Sequence, residues 1–284
     1  MLEVLNSRIK GANYFVTADE KKAFLRDGYI TLKNVITKEE LQEIEFLFDR
    51  FMRGEIKVKG KDFCDMSAGF DREFKDFALV NAMLPRVYLE DVKNNIFEKR
   101  AASISQQLLG GDMVLDYDQF LGKKPNKPDA QFAFHQDMGY WPRKTPDTKT
   151  ATCSLAISQA TIEMGCLRVV PGSHTDQKLR IHKPAAESMD KLSGNGQGRS
   201  DAHALTLELK ENEKIVYCPV EAGDVTVHDE WIVHGSTGNA TGNWRKTYVI
   251  AFRSAETVKW ERANGFTHSH NDTVNWDTFD KLGK

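Results

Sequence analysis

The sequence predicts a mainly β fold with a helical layer, a double-stranded β-helix (jelly roll, cupin-like) with N-terminal helices packed on the outside. Two observations carry this reading. Short strand-like runs punctuated by glycine and proline fill the chain from residue 112 to 255. Ahead of them, two Thr-x-x-Glu capping signals open helical runs, and nothing alternates in the βαβ manner. With no internal repeat and no low-complexity linker, residues 1–284 read as a single domain. It divides into a mostly helical layer (1–111), a jelly-roll core (112–255) and a C-terminal extension (256–284).

In chain order, Thr17-Ala-Asp-Glu20 caps a helix over Lys21–Asp27, which Gly28 stops. Tyr29–Val35 alternates as a strand. Thr37-Lys-Glu-Glu40 caps a second helix, in which Leu41, Ile44, Leu47, Phe48 and Phe51 share one face. Charged residues and glycines from Gly54 to Asp76 predict an irregular loop flanking the site entrance. A long helix is expected from Leu84 to Leu109, ended by Gly110-Gly111. Strands follow at Met113–Leu121, Gln131–Phe134, Ala151–Ile157, Cys166–Val170, Ala204–Leu209, Lys214–Cys218, Asp224–His228 and Lys246–Arg253. The polar stretch from His174 to Ala202 holds a glycine-rich segment, Ser193–Gly198, without the Gly-Lys-Ser/Thr ending of a phosphate-binding loop.

Composition narrows the function. A net charge of -2 and a pI near 6.5 give no field favouring nucleic acid or an anionic membrane, and no nucleic-acid module is present. Cys64, Cys153, Cys166 and Cys218 are scattered, so buried reduced thiols are expected rather than disulfides or a zinc site. No run has membrane-spanning or signal-peptide length, and a cytoplasmic location follows by default.

The chemistry gathers around Gln131–Pro142. His135 and Asp137 are two apart, which on an extended strand puts imidazole and carboxylate on one face. A second strand-like run carries His228 and then His234. Two histidines and a carboxylate with open positions form the facial triad of non-heme Fe(II) oxygenases. Arg245 follows, and its planar fork suits the distal carboxylate of a dicarboxylate co-substrate.

His135-Gln-Asp137, His234-Gly-Ser236 and Arg245, with Val170-Pro-Gly-Ser-His174 between them, resemble the phytanoyl-CoA dioxygenase (PhyH) family of Fe(II)/2-oxoglutarate oxygenases, which includes ectoine hydroxylase. The resemblance runs from about Phe15 to about Arg253, and the helix, strand, helix opening shares it. It implies Fe(II) on His135, Asp137 and His234, with 2-oxoglutarate and O2 as co-substrates. It also implies that Ser236 joins Arg245 at the far carboxylate and that Gln119 contacts the C1 end. His234 is preferred over His228 because the Gly-Ser and the spacing to Arg245 match the family; His228 is then a core or supporting histidine. Related halogenases replace the carboxylate by a small residue, so Asp137 favours hydroxylation. The implied activity is hydroxylation or a related oxidation of an unactivated C–H bond in a small molecule, releasing succinate and CO2. Met138, Trp141 and Trp231 are candidates for the substrate pocket, joined by Tyr140 and the loop with Arg180 and Arg199. Lys178, Arg180, His182 and Lys183 read as a solvated basic loop, and His268 and His270 as solvated tail residues. A zinc hydrolase using the same ligands and a non-catalytic jelly-roll binding protein remain as alternatives.

Overall fold

The computed structural model describes residues 8–67, 70, 72–184, 204–274, 276 and 279. The glycine-rich Ser193–Gly198 and Arg199 lie outside the described residues.

A small hairpin, β1 (Ile9–Lys10) and β2 (Asn13–Tyr14), leads into helix α1 (Ala18–Asp27), β3 (Tyr29–Leu32) and α2 (Lys38–Met52). Both predicted capping boxes form: Thr17 and Thr37 accept from the N3 amides of Glu20 and Glu40, whose side chains reach back. Gly28 ends α1 in the left-handed region, φ 80°.

The next stretch departs from the prediction. The expected irregular loop contains β4 (Phe63–Asp65), and β5 (Leu79–Met83) follows it. The single long helix is broken. Leu84 is left-handed (φ 53°), Pro85 opens the short helix α3 (Pro85–Tyr88), and α4 (Ile96–Leu109) starts separately with Asn95 accepting from Glu98 N. Pro85 is favoured at the first turn and only sets where α3 starts; the break itself falls at Leu89–Asn95, where Leu89 is extended and Asn94 is left-handed (φ 57°).

Then come β6 (Met113–Lys123), β7 (Phe132–His135), β8 (Thr150–Ala156), β9 (Leu167–Val169), β10 (Lys183–Pro184), β11 (Leu205–Thr206), β12 (Val216–Cys218), β13 (Val225–His228), β14 (His234–Ser236) and β15 (Arg245–Ser254). Helix α5 (Ala255–Ala263) follows β15 directly, with Ser254 as its cap. A seven-stranded sheet, order β3-β13-β8-β15-β6-β5-β4, opposes a four-stranded one, β12-β9-β14-β7. This is the jelly roll.

Strand alternation assigns each face of the large sheet its task. Phe120, Leu155, Val227, Tyr248 and Ile250 point outward into the main core, where they meet Phe24 of α1, Phe48 and Phe51 of α2 and Phe97 and Ile104 of α4. Phe120 is the pivot, with Phe48 and Phe51 each 5.4 Å away edge-on. The intervening residues Gln119, Leu121, Thr152, Ser154, Thr247 and Val249 face inward and line a cavity between the sheets. Arg100, fully enclosed on α4, locks this layer by pairing with Glu40 at 2.6 Å and donating to Val35 O. All four cysteines are free and buried. Among the described residues no helix is long and apolar enough to cross a membrane.

Removing the Phe120 ring leaves a cavity between helices and sheet, so Phe120→Ala is expected to lower unfolding free energy by about 3–5 kcal/mol. Urea unfolding followed by circular dichroism checks it.

Candidate active site

Two histidines face each other across the smaller sheet. His135 ends β7, His234 opens β14, and they are Cα partners in the antiparallel pair. Their ring centroids are 4.3 Å apart. His135 Nδ1 lies 2.8 Å from Ala133 O and His234 Nδ1 lies 3.0 Å from Ile232 O. A carbonyl oxygen only accepts, so each Nδ1 carries the proton and each Nε2 presents a lone pair to the centre.

Asp137 is not on the strand, as its spacing from His135 predicts. β7 has ended, and Asp137 begins a single 3-10 turn, Asp137–Gly139. The turn brings Asp137 Oδ1 to 3.6 Å from His135 Nε2 and 3.4 Å from His234 Nε2. The donor atoms of the three residues lie within 4.8 Å of one another. Burial alone would raise the Asp137 carboxyl, but the neighbouring His234, His135 and His228 outweigh it and hold it well below the usual carboxylate range. Burial, helped by His135 and His228, keeps His234 well below the usual imidazole value. An ionised carboxylate and a neutral imidazole are the states in which these groups bind metals.

His228, at the end of β13, stands behind the trio. Its Nε2 donates to Asp137 Oδ2 at 3.2 Å, the carboxylate oxygen turned away from the two other donors. Gln136, wholly enclosed, ties the surrounding loops together. Its backbone N donates to His182 Nε2 (3.0 Å), its Nε2 to Lys178 O (3.1 Å) and Trp231 O (2.8 Å), and its Oε1 accepts from Arg180 N (2.8 Å). The solvated-loop expectation therefore fails for His182, which is buried, and for Arg180, which pairs with Glu213.

A cavity of about 560 Å³ opens beside the trio, lined by Gln119, Ser236 and Arg245 together with His135, Asp137 and His234. Arg245 begins β15, and its Nε is enclosed without a hydrogen-bond partner. Burial lowers its guanidinium to about 10, and among the described residues no carboxylate pairs with it. A cation held this way requires an anionic partner, and the cavity is where one fits. Lys123, which the sequence reading passed over, is fully enclosed at the end of β6 and donates to Ser236 Oγ at 2.7 Å.

A second chamber of about 710 Å³ shares Tyr117, Gln119, Phe132, His135 and Asp137 with the first. Met66, Phe70, Met83, Tyr140 and Trp141 form its apolar wall, and Lys61 and His270 its polar one. Of the three substrate candidates, only Trp141 lines a chamber. Met138 and Trp231 are buried and line neither, because the 3-10 turn and the contact of Met138 N with Glu230 O direct that segment into the protein.

The C-terminal segment corrects another expectation. His268 is fully enclosed rather than solvated, stacked on Tyr117 with centroids 4.4 Å apart, and His270 lines the second chamber. Ser269 Oγ and His270 N donate to the buried Asp62 at 2.9 and 2.7 Å, clasping this segment to the loop before β4. Behind Trp141, Asp116, Glu261 and His268 form a second trio of close donor atoms. Arg253 donates to Glu261 at 2.5 Å and Arg262 donates to Asp116, so guanidinium groups already neutralise these carboxylates and disfavour a metal cation.

A family model described as phytanoyl-CoA dioxygenase (PhyH) matches residues 24–247. Peroxisomal phytanoyl-CoA dioxygenase of Homo sapiens is 22% identical over 252 residues, covering 86% of this chain and 70% of that protein. Ectoine dioxygenase of Stutzerimonas stutzeri is 24% identical over 248 residues, covering 86% and 78%. The crystal structure of EvdO2 from Micromonospora carbonacea var. aurantiaca superposes with a TM-score of 0.68 at 22% identity, covering 85% of this chain and 92% of that one. Its complex with 2-oxoglutarate gives a TM-score of 0.65. These superpositions establish the shared jelly-roll fold.

Glu230 joins the buried network through Thr150 and Arg253. Burial pushes its carboxyl up from 4.5 to about 8, against the pull of Arg253 and Thr150. Between those two values the native state binds a proton that the unfolded chain has released, so this group's contribution falls as pH rises through that window. Glu230→Gln is expected to remove a slope of at most about 1.4 kcal/mol per pH unit. The variant should gain stability relative to wild type from pH 5 to pH 8.5 in denaturant titrations; a constant difference across that range would refute the assignment.

Proposed function

The chain belongs to the phytanoyl-CoA dioxygenase (PhyH) family, and from that premise we propose that His135, Asp137 and His234 hold Fe(II) while Arg245, Ser236 and Gln119 receive 2-oxoglutarate. It is an Fe(II)/2-oxoglutarate-dependent dioxygenase acting on a small molecule. When bound, iron with 2-oxoglutarate and O2 supplies the oxidising chemistry, which releases succinate and CO2 and hydroxylates an unactivated C–H bond.

The observation that carries the residue assignment is Arg245, a guanidinium with no carboxylate partner among the described residues, which opens into the same cavity as the trio. A dicarboxylate whose keto acid end reaches the trio supplies the missing anion. Neither alternative reading finds support: a zinc hydrolase does not account for this cation, and a plain binding protein does not account for the trio of metal-binding donors beside it. The carboxylate of Asp137 occupies the position that a halogenase leaves open, which favours hydroxylation.

The protein's own residues set the geometry. Ala133 O and Ile232 O fix the two imidazole tautomers, and His228 engages Asp137 Oδ2 so that Oδ1 stays directed at the centre. The aromatic chamber takes the substrate; Tyr117, Phe132 and Trp141 keep water from the C–H bond presented there, and Lys61 and His270 meet its polar end. Because the C-terminal segment completes that chamber, residues 1–284 act as one catalytic domain. Four free thiols fit a reducing compartment, and we place the enzyme in the cytoplasm.

An anaerobic titration with Fe(II) and 2-oxoglutarate tests the reading through the visible charge-transfer absorption of the chelate. Wild type should develop the band, Arg245→Ala should need about 100-fold more 2-oxoglutarate, and His135→Ala should bind no iron. Absence of the band in iron-loaded wild type would remove the co-substrate assignment. In the same assay His228→Phe is expected to weaken Fe(II) binding by about 10- to 100-fold, with His228→Gln recovering part of the loss through its amide donor.

A further inference from the structure

Lys123 and Arg245 are Cα partners on β6 and β15, the central antiparallel pair of the large sheet. Like charges directly opposite each other destabilise a strand pair, and enclosure raises the cost. Lys123 also follows the inward parity of Tyr117, Gln119 and Leu121, which puts its side chain on the cavity side of β6. Its ammonium donates to Ser236 Oγ and Thr237 O and lies 5.9 Å from the Phe132 ring centroid. Among the described residues no carboxylate pairs with Lys123. Burial, then Arg245 and Arg168, holds its ammonium well below the ordinary lysine value, a penalty on its charge that an anion in the cavity would offset.

Ser236 is where this arrangement acquires a consequence. A hydroxyl has one hydrogen to give. Because Lys123 donates to Ser236 Oγ, that hydrogen must go elsewhere, and among the described residues no acceptor takes it. Ser236 lines the cavity beside Arg245. We propose that Lys123 is a positioning residue for the co-substrate: its ammonium turns the Ser236 hydroxyl into a dedicated donor to the far carboxylate of 2-oxoglutarate and sets a second positive charge behind that carboxylate. This rests on the reading that Arg245 and Ser236 receive that end of the molecule. It also accounts for two cations side by side in the interior: a carboxylate with full negative charge is shared by Arg245 directly and by Lys123 through Ser236.

The test compares 2-oxoglutarate with 2-oxopentanoate, which has the same chelating end and length but a methyl group in place of the far carboxylate. Both are titrated anaerobically into Fe(II)-loaded wild type, Lys123→Met, Lys123→Gln, Ser236→Ala and the Lys123→Met/Ser236→Ala double variant, following the charge-transfer band. Lys123→Met should raise the dissociation constant for 2-oxoglutarate about tenfold or more and leave that for 2-oxopentanoate within twofold. Lys123→Gln, which keeps a donor for Ser236 without the charge, should recover part of the loss and serves as the readout if Lys123→Met does not fold. The double variant should bind 2-oxoglutarate no more weakly than the weaker single variant, because Lys123 acts through Ser236. Equal weakening of both acids, additive losses in the double variant, or an unchanged 2-oxoglutarate constant each overturn the role of Lys123 while leaving the wild-type band in place. A wild type that chelates neither acid instead overturns the co-substrate reading beneath it.

Discussion

The antiparallel pairing of β14 with β7 is the constraint on which the rest of the site depends. It places His234 directly opposite His135, residues about a hundred positions apart in the sequence, with only a backbone ladder between them. Everything else is arranged around that pair. The 3-10 turn after β7 brings in Asp137, β13 brings His228 to its outer oxygen, and β9 flanks His234 on the other side. Slipping β14 by one residue would turn Gly235 rather than an imidazole toward the centre.

A second theme is the placement of enclosed charge. Arg100 with Glu40 fastens the helical layer, and Arg253 and Arg262 with Asp116 and Glu261 fasten the C-terminal segment, each cation matched to a carboxylate. Among the described residues the pair at the cavity, Lys123 and Arg245, has no such carboxylate, and in the proposed reading this is where an external anion is received. Local conflicts with folding preferences of this kind concentrate at functional positions.

Much of this was legible from the chain alone. The capping boxes at Thr17 and Thr37 depend on local hydrogen bonds, which sequence encodes directly. The strands of the core follow from alternation and turn residues, and His135, Asp137, His234 and Arg245 from residue chemistry and order, to which the family resemblance added Ser236 and Gln119. A single long helix is expected because apolar residues over 84–109 keep a helical spacing across the break at Leu89–Asn95, where Leu89 is extended, Asn94 is left-handed and Asn95 caps the next helix. The burial of His268, the chamber wall at His270 and the support of Ser236 by Lys123 join residues more than a hundred positions apart. No local pattern announces such contacts; they exist only once the sheets have closed.

The two chambers meet at His135 and Asp137 and share Tyr117, Gln119 and Phe132, so in the proposed reading co-substrate and substrate take adjoining rooms without an intervening wall. For inhibitor chemistry this adjacency matters more than either room alone. A dicarboxylate head that satisfies Arg245, joined by a short tether to a ring that lies against Trp141, would make its second contact at high effective concentration. Its tail would lie against the apolar wall of Met66, Met83 and Trp141 and face His270 of the C-terminal segment across the chamber, where selectivity can be engineered.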